Sequence, residues 1–291
     1  MPDVNAIFCG CVRDVAAHVD AVLLNIDRLT GLFRKSAFLF IENDSTDDSL
    51  ARLKNWTSIH PHSNIISHSK LDLIRPSRTQ RLAFCRNLLL QEIKKSLYQE
   101  YDVVVMLDMD DINAAPIDLG GVSEALSFLR KTESAAAVCA YQENYYDLWA
   151  LRHSEHFPID IWEECLRESL ATSKSDQEIF SGLRTRYPTS FLSPDNPTKV
   201  LSAFGGLALY KRSALVTNPC SYSGEKDFFA LGQTGQGQPE LKFGKIQQCE
   251  HVPFHCGFKT QGKDMFVMPT LGNQYTTGLL NPSFFRTIVI S

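Results

Sequence analysis

Short apolar runs alternate with longer stretches of helical periodicity through the first half of the chain. Residues 4–9, 37–41, 103–107 and 135–140 are continuous apolar segments of strand length, and 64–67 is a weaker one. Between them, residues 12–33 repeat Val15, Val19, Val22, Leu23, Ile26 and Leu29 at helical spacing. Asp44 or Ser45 is placed to cap a helix carrying Leu50, Leu53 and Trp56. Pro76 and Ser77 open a helix predicted to reach about Gln99, with Leu82, Phe84, Leu88, Leu89 and Ile93 on its apolar face. Residues 122–129 form a further helix. Strands apolar on both faces and separated by helices predict βαβ units, hence a three-layer α/β/α fold with a mostly parallel central sheet. Ligands in such sheets bind beyond the carboxyl ends of the strands.

The pattern changes after about residue 140. Residues 160–170 read as a helix carrying Trp162, and 184–197 as a long loop rich in Pro, Ser, Thr and Asn. Residues 200–210 read as a strand pair broken at Gly205-Gly206, and 231–239, full of Gly and Gln, as a mobile loop. No internal repeat or linker divides the chain. The expectation is one domain, with a ligand-binding half over about 1–140 and a second half over about 141–291.

Composition narrows the partners. The 291 residues are 44% hydrophobic and 21% charged, with a net charge of -4, which argues against nucleic acid or an anionic membrane as a whole-chain partner. No apolar run approaches the roughly 20 residues of a membrane span. The opening Met1-Pro2-Asp3-Val4-Asn5 lacks the basic and apolar regions of a signal peptide, so a cytoplasmic protein is expected. The apolar stretch 284–290 could pack internally, dimerise or touch the inner face of a membrane; internal packing is the default. Of the 8 cysteines, Cys9 and Cys139 lie in apolar runs and Cys85 and Cys165 on helix faces, as buried free thiols do. Cys9, Cys11, Cys249 and Cys256 do not have the spacing of a known zinc knuckle.

Four groups of residues could carry chemistry. Asp108 and Asp110 end an apolar strand at i, i+2, so both side chains share a face. Paired carboxylates repel unless a cation lies between them, and oxygen donors suit Mg²⁺ or Mn²⁺. Glu42 and Asn43 are polar residues at another strand's carboxyl end, able to bond a base or ribose. Arg78 and Arg81 lie one turn apart near a helix start, where they could contact phosphate. Late in the chain, Glu250, His251 and His255 fall within one short stretch.

The order of these pieces resembles the nucleotide-binding half of GT-A-fold glycosyltransferases, above all the large inverting family. Cys11-Val12-Arg13-Asp14, Glu42-Asn43-Asp44-Ser45-Thr46-Asp47-Asp48-Ser49, Cys85-Arg86-Asn87 and Leu107-Asp108-Met109-Asp110-Asp111 follow that family's sequence of motifs across residues 4–113. More loosely, Ser202–Lys211 as a segment (202–211) and 249–255 are similar to capsular mannosyltransferases. The resemblance implies transfer of a hexose from a UDP- or GDP-linked sugar to a glycan or glycolipid hydroxyl, in surface-glycan synthesis. It implies Asp108, Asp110 and His255 as ligands of Mn²⁺ or Mg²⁺. Arg13, Glu42, Asn43, Arg78, Arg81, Asp108, Gly205 and Gly206 would line the nucleotide-sugar site. Asp227, in Gly224-Glu225-Lys226-Asp227, is the first choice for a catalytic base and Glu250 its rival. Tyr145, Tyr146, Trp149 and Trp162 could stack on sugar faces. Two rival readings are a haloacid-dehalogenase-like phosphatase with Asp108 as nucleophile and a non-catalytic nucleotide-sugar-binding module.

Overall fold

The computed structural model describes residues 3–233, 239–273 and 281–290. The elements run β1 (Asn5–Val12), α1 (Val19–Thr30), β2 (Lys35–Asn43), α2 (Ser49–Ser58), β3 (Ser63–His68), α3 (Leu71–Ile74) and α4 (Arg78–Ile93). They continue with β4 (Val103–Asp108), α5 (Leu119–Lys131), β5 (Ala135–Tyr141), α6 (Ile161–Ala171), α7 (Asp176–Arg186), β6 (Thr198–Val200) and β7 (Leu207–Lys211). Last come α8 (Arg212–Thr217), β8 (Glu225–Gln233), β9 (Pro239–Gln247), α9 (His251–Thr260), β10 (Asp264–Gly272) and β11 (Val289–Ile290).

One eight-stranded sheet, in the order β3-β2-β1-β4-β7-β5-β10-β6, spans both halves of the sequence. Only β6 and β7 run against the common direction. Alternate residues of each central strand enter different cores. Ile7, Leu39 and Val104 pack with α4, α6, α7 and α9 on one face, while Phe8, Phe40 and Val105 pack with α1, α2 and α5 on the other. The sheet is therefore buried on both sides, as the unbroken apolar runs require. A small antiparallel sheet, β11-β9-β8, lies beside it.

Several boundaries differ from the sequence reading. The helix expected from residue 12 begins only at Val19, and residues 13–18 form a loop. The helix expected from Asp44 or Ser45 begins at Ser49, with Asp48 as its cap. The side chains in between are spent on tying two loops together: Ser49 Oγ accepts the Val15 N–H at 2.7 Å, Asp47 accepts that of Ala16 at 2.9 Å, and Asp14 accepts that of Thr46 at 2.7 Å. The helix expected to reach Gln99 ends at Ile93 and is followed by a short 3₁₀ turn, Ser96–Tyr98. The strands either side of Gly205-Gly206 do not pair with each other; β6 joins β10, and β7 inserts between β4 and β5. The region read as a loop at 231–239 is partly strand, since β8 runs to Gln233 and β9 starts at Pro239; residues 234–238 lie outside the described residues. Phe285 and Ile288 are buried, so the C-terminal apolar stretch packs inward, although Val289 is exposed. No helix among the described residues is long and apolar enough to cross a membrane.

Candidate active site

Strands β1, β2 and β4 end side by side, and two cavities open beyond their carboxyl ends. The first, about 370 Å³, is lined by the β1–α1 loop, Asn43 at the end of β2, the start of α4, and Asp108 and Asp110. The second, about 230 Å³, shares Arg78, Leu82, Asp108 and Asp110 with the first and adds Tyr146, Asp147, Trp149, Glu250 and His251. The two acids are thus a common wall between a larger and a smaller compartment.

Strand alternation sets that wall. Met109 is buried in the opposite core, where a Cβ on Gly10 would lie 2.6 Å from its side chain. Its neighbours Asp108 and Asp110 therefore both face the cavities. The loop that follows is held by a buried amide network. Asn113 donates to the carbonyls of Asp108 (2.8 Å) and Gly206 (2.7 Å), and Asn273 donates to Asn113 Oδ1 (3.0 Å) and the Gly205 carbonyl (2.8 Å).

The acids are crowded. Burial pushes the Asp108 carboxyl up against the lowering influence of Arg86, which donates to Asp108 Oδ1 at 3.0 Å. Burial, then the charges of Asp108 and Asp111, push Asp110 up to about 6. Asp110 Oδ1 is buried with no hydrogen-bond partner among the described residues. An orphaned carboxylate oxygen beside a second carboxylate fits a divalent cation. Among the described residues no three or more His, Cys, Asp or Glu side chains are arranged to hold a metal ion by themselves. A cation here would complete its shell from phosphate oxygens and water, as Mg²⁺ commonly does.

Three arginines share the larger cavity with the acids. Arg13, Arg78 and Arg81 all line the larger cavity. Arg81 Nη1 donates to the Arg75 carbonyl at 3.0 Å, while burial and then the neighbouring Arg13 charge lower its pKa. Arg13 is 3.5 Å from Asp14 and 3.7 Å from Asp72, and its Nη1 is buried without a hydrogen-bond partner among the described residues. Arg78 is exposed and has no ion-pair partner among the described residues. Its charge still lowers the pKa of Asp108, Asp110 and Asp147. Three guanidinium groups next to a carboxylate pair form a site for an anion and a cation together.

Other expected residues sit elsewhere or do different work. Glu42 is buried and bracketed by protein: its Oε1 accepts the Ser45 N–H at 2.9 Å and its Oε2 the Ser67 hydroxyl. It stiffens the loop rather than lining either cavity. Gly205 and Gly206 are buried, at φ +66° and +81°, and neither lines either of these two cavities. A Cβ on Gly205 would meet the Ala140 carbonyl at 2.9 Å, and one on Gly206 the Ile112 side chain at 2.8 Å. The close approach they permit is to protein, not to a sugar. Asp227 shares the exposed face of β8 with Phe229 and Leu231, directly opposite Lys245, away from both cavities. Tyr145 and Trp162 are core residues, whereas Tyr146 and Trp149 line the smaller cavity.

The histidines also exchange roles. His255 is enclosed, with Nδ1 2.9 Å from the Ser202 hydroxyl and Nε2 3.0 Å from the Tyr210 hydroxyl. Both ring nitrogens are occupied, so it has none left for a metal. Burial lowers its pKa to about 3. His251, one turn earlier, lines the smaller cavity and stacks on Phe204 at 4.2 Å. Neither of its ring nitrogens has a hydrogen-bond partner among the described residues.

Two groups with no assigned role in the sequence reading prove central. Arg86, 4% exposed, joins Asp108 to Glu250 and lies over the Phe204 ring at 5.2 Å. Asp147 lines the smaller cavity and accepts the Gly205 N–H at 3.0 Å. The only signal for Asp147 was its position, an acid in the segment after the carboxyl end of a parallel strand.

No protein-family model matches the chain, and neither does any curated protein sequence. Among solved structures, the chain is similar to a mannosyltransferase from Pyrobaculum calidifontis in complex with GDP-Man and Mn²⁺, with TM-score 0.46 and 13% identity over 92% of this chain and 55% of that one. It is also similar to glucosyl-3-phosphoglycerate synthase from Mycobacterium tuberculosis in complex with Mg²⁺ and UDP, with TM-score 0.39 and 15% identity over 73% of this chain and 58% of that one. The chain therefore spans between 55% and 58% of the length of these proteins.

Proposed function

We propose that the chain is a metal-dependent glycosyltransferase of GT-A type, moving a hexosyl group from a nucleoside-diphosphate sugar to a glycan hydroxyl. One observation carries this reading. Asp108 and Asp110 are shared by two adjoining cavities at the carboxyl ends of parallel strands, and three arginines line the larger one with them.

The chain's own residues divide the work. Arg13, Arg78 and Arg81 bind the diphosphate, and Asn43 meets the nucleoside from the end of β2. The hexose reaches over the acid wall into the smaller cavity. There Trp149 and Tyr146 offer ring faces to sugar, and His251 offers a polar contact. Asp108 and Asp110 would hold Mn²⁺ or Mg²⁺, which supplies neutralising charge for the departing diphosphate. Arg86 keeps Asp108 in place and pairs with Glu250 in the lining of the smaller cavity. In this arrangement the first half of the chain serves the donor and the second half the acceptor.

A thermal-shift screen of UDP-, GDP-, CMP- and dTDP-sugars, each with and without Mn²⁺, tests the reading. Saturating the correct donor at about 100 times its Kd adds about 2.7 kcal/mol of stability. Stabilisation by one nucleotide class, dependent on Mn²⁺, is the expected result. No shift with any donor in the presence of Mn²⁺ overturns the proposal.

A further inference from the structure

We infer that Asp147 is the catalytic base that takes the proton from the acceptor hydroxyl, an assignment that rests on the glycosyltransferase reading above. Five carboxylates line the smaller cavity: Asp108, Asp110, Asp111, Asp147 and Glu250. Four are committed or misplaced. Asp108 is bonded to Arg86 and shares the cation wall with Asp110, so both are committed to the cation in the proposed site. Asp111 is exposed to solvent. Glu250 is buried in its ion pair with Arg86.

Asp147 alone combines access with a fixed orientation. Its Oδ2 accepts the Gly205 N–H at 3.0 Å and its Oδ1 the Ala150 N–H at 3.4 Å. Each carboxylate oxygen has two lone-pair directions, so one on each remains after these bonds. The backbone donors hold the carboxylate still without neutralising it. It lines the cavity from the segment after β5, whereas the cation wall comes from β4. An acceptor seated between them has a base at its hydroxyl and the donor sugar on the side of the diphosphate. Burial also raises the Asp147 carboxyl above its ordinary value, which suits a proton acceptor.

The step balances. The acceptor O–H proton passes to Asp147, and the freed oxygen forms a bond to the anomeric carbon. The bond from that carbon to the diphosphate oxygen breaks, and the diphosphate leaves with the electron pair. Attack from the face opposite the leaving group inverts the anomeric configuration.

Asp147→Asn keeps an oxygen for the Gly205 N–H but cannot take a proton. The expected variant binds the donor with Mn²⁺ within about threefold of the wild type, while kcat falls about 100-fold or more. The acidic limb of the wild-type kcat–pH profile should vanish with it, and the wild-type product should carry the inverted anomer by NMR. A variant with near-wild-type kcat, or a product that keeps the donor's configuration, overturns the assignment and leaves the transferase reading intact. Absence of donor binding by the wild type instead defeats the reading beneath it. Should Asp147→Asn lose donor binding, Asp147→Ala with added formate decides the matter: restored transfer supports the base, and no restoration overturns it.

Discussion

Arg86 reaches Asp108 with one arm of its guanidinium, at 3.0 Å from Oδ1, and holds Glu250 with the other. Arg86 and Glu250 are almost fully buried, so this one cation compensates a carboxylate that water cannot reach as well as Asp108 at the cavity wall. Removing one partner of such a group costs about 3–5 kcal/mol, because charge is left buried and unpaired. Arg86→Met should therefore lower stability by that amount in urea titration. Arg86→Met combined with Glu250→Leu should recover part of it, since fewer orphaned charges remain. Equal stability of wild type and Arg86→Met would show that the bridge is dispensable.

Arg78 and Arg81 separate binding from folding. Both line the larger cavity, but Arg81 also donates to the backbone of the loop that enters α4. Arg78 has no such internal bond among the described residues. A charge-assisted hydrogen bond is worth about 1.5–3 kcal/mol, so either change to Ala should weaken binding of the cognate nucleoside diphosphate roughly 10- to 100-fold by calorimetry. Only Arg81→Ala should also lower the melting temperature. Undiminished affinity in Arg78→Ala would remove it from the diphosphate site.

The parallel half of the fold was legible because β1, β2, β4 and β5 are apolar on both faces, and no other common element reads that way. Asp108 and Asp110 were legible for a related reason: alternation past an apolar strand needs no tertiary information. The second half hid its plan. β7 joins β4 and β5 antiparallel, and β6 pairs with β10, so neither partner is close in sequence. The fates of Glu42 and His255 depend on Ser67, Ser202 and Tyr210, contacts made only when distant strands assemble. Spacing could mark His251 and His255 as a pair on one helix, but not which of them meets a cavity. Asp227 looked catalytic from its neighbours in sequence, whereas the β8–β9 pairing turns it outward opposite Lys245.

His255 gives a stability prediction with a definite sign. Its folded pKa is lowered to about 3 by burial, against an ordinary value of 6.5. The unfolded chain therefore takes up a proton below about pH 6.5 that the folded chain refuses, and this contribution to stability is lost as pH falls from 6.5 toward 3. His255→Gln, which can still bond a hydroxyl, should show a shallower loss of stability over that window in urea titrations at stepped pH. The Mn²⁺ affinity of the folded variant should stay unchanged, because the ring lies among Ser202, Tyr210 and Phe258. A large loss of Mn²⁺ affinity would return His255 to the metal shell.

Asp110 titrates in the opposite sense. With no cation bound, its carboxyl stands at about 6, raised first by burial and then by Asp108 and Asp111. The folded state thus holds this proton more tightly than the unfolded chain, whose ordinary value is 3.8. Asp110 opposes folding fully above about pH 6, and that opposition fades as pH drops toward 4. A divalent cation needs the ionised form. Mn²⁺ affinity should then rise about tenfold per pH unit up to about pH 6 and level off above it, as measured by the electron paramagnetic resonance signal of free Mn²⁺. Asp110→Asn should bind Mn²⁺ weakly at every pH, yet its metal-free form should be more stable than wild type at pH 8 and no more stable at pH 4. A flat Mn²⁺ affinity between pH 5 and 8 in the wild type would mean that the cation does not depend on Asp110.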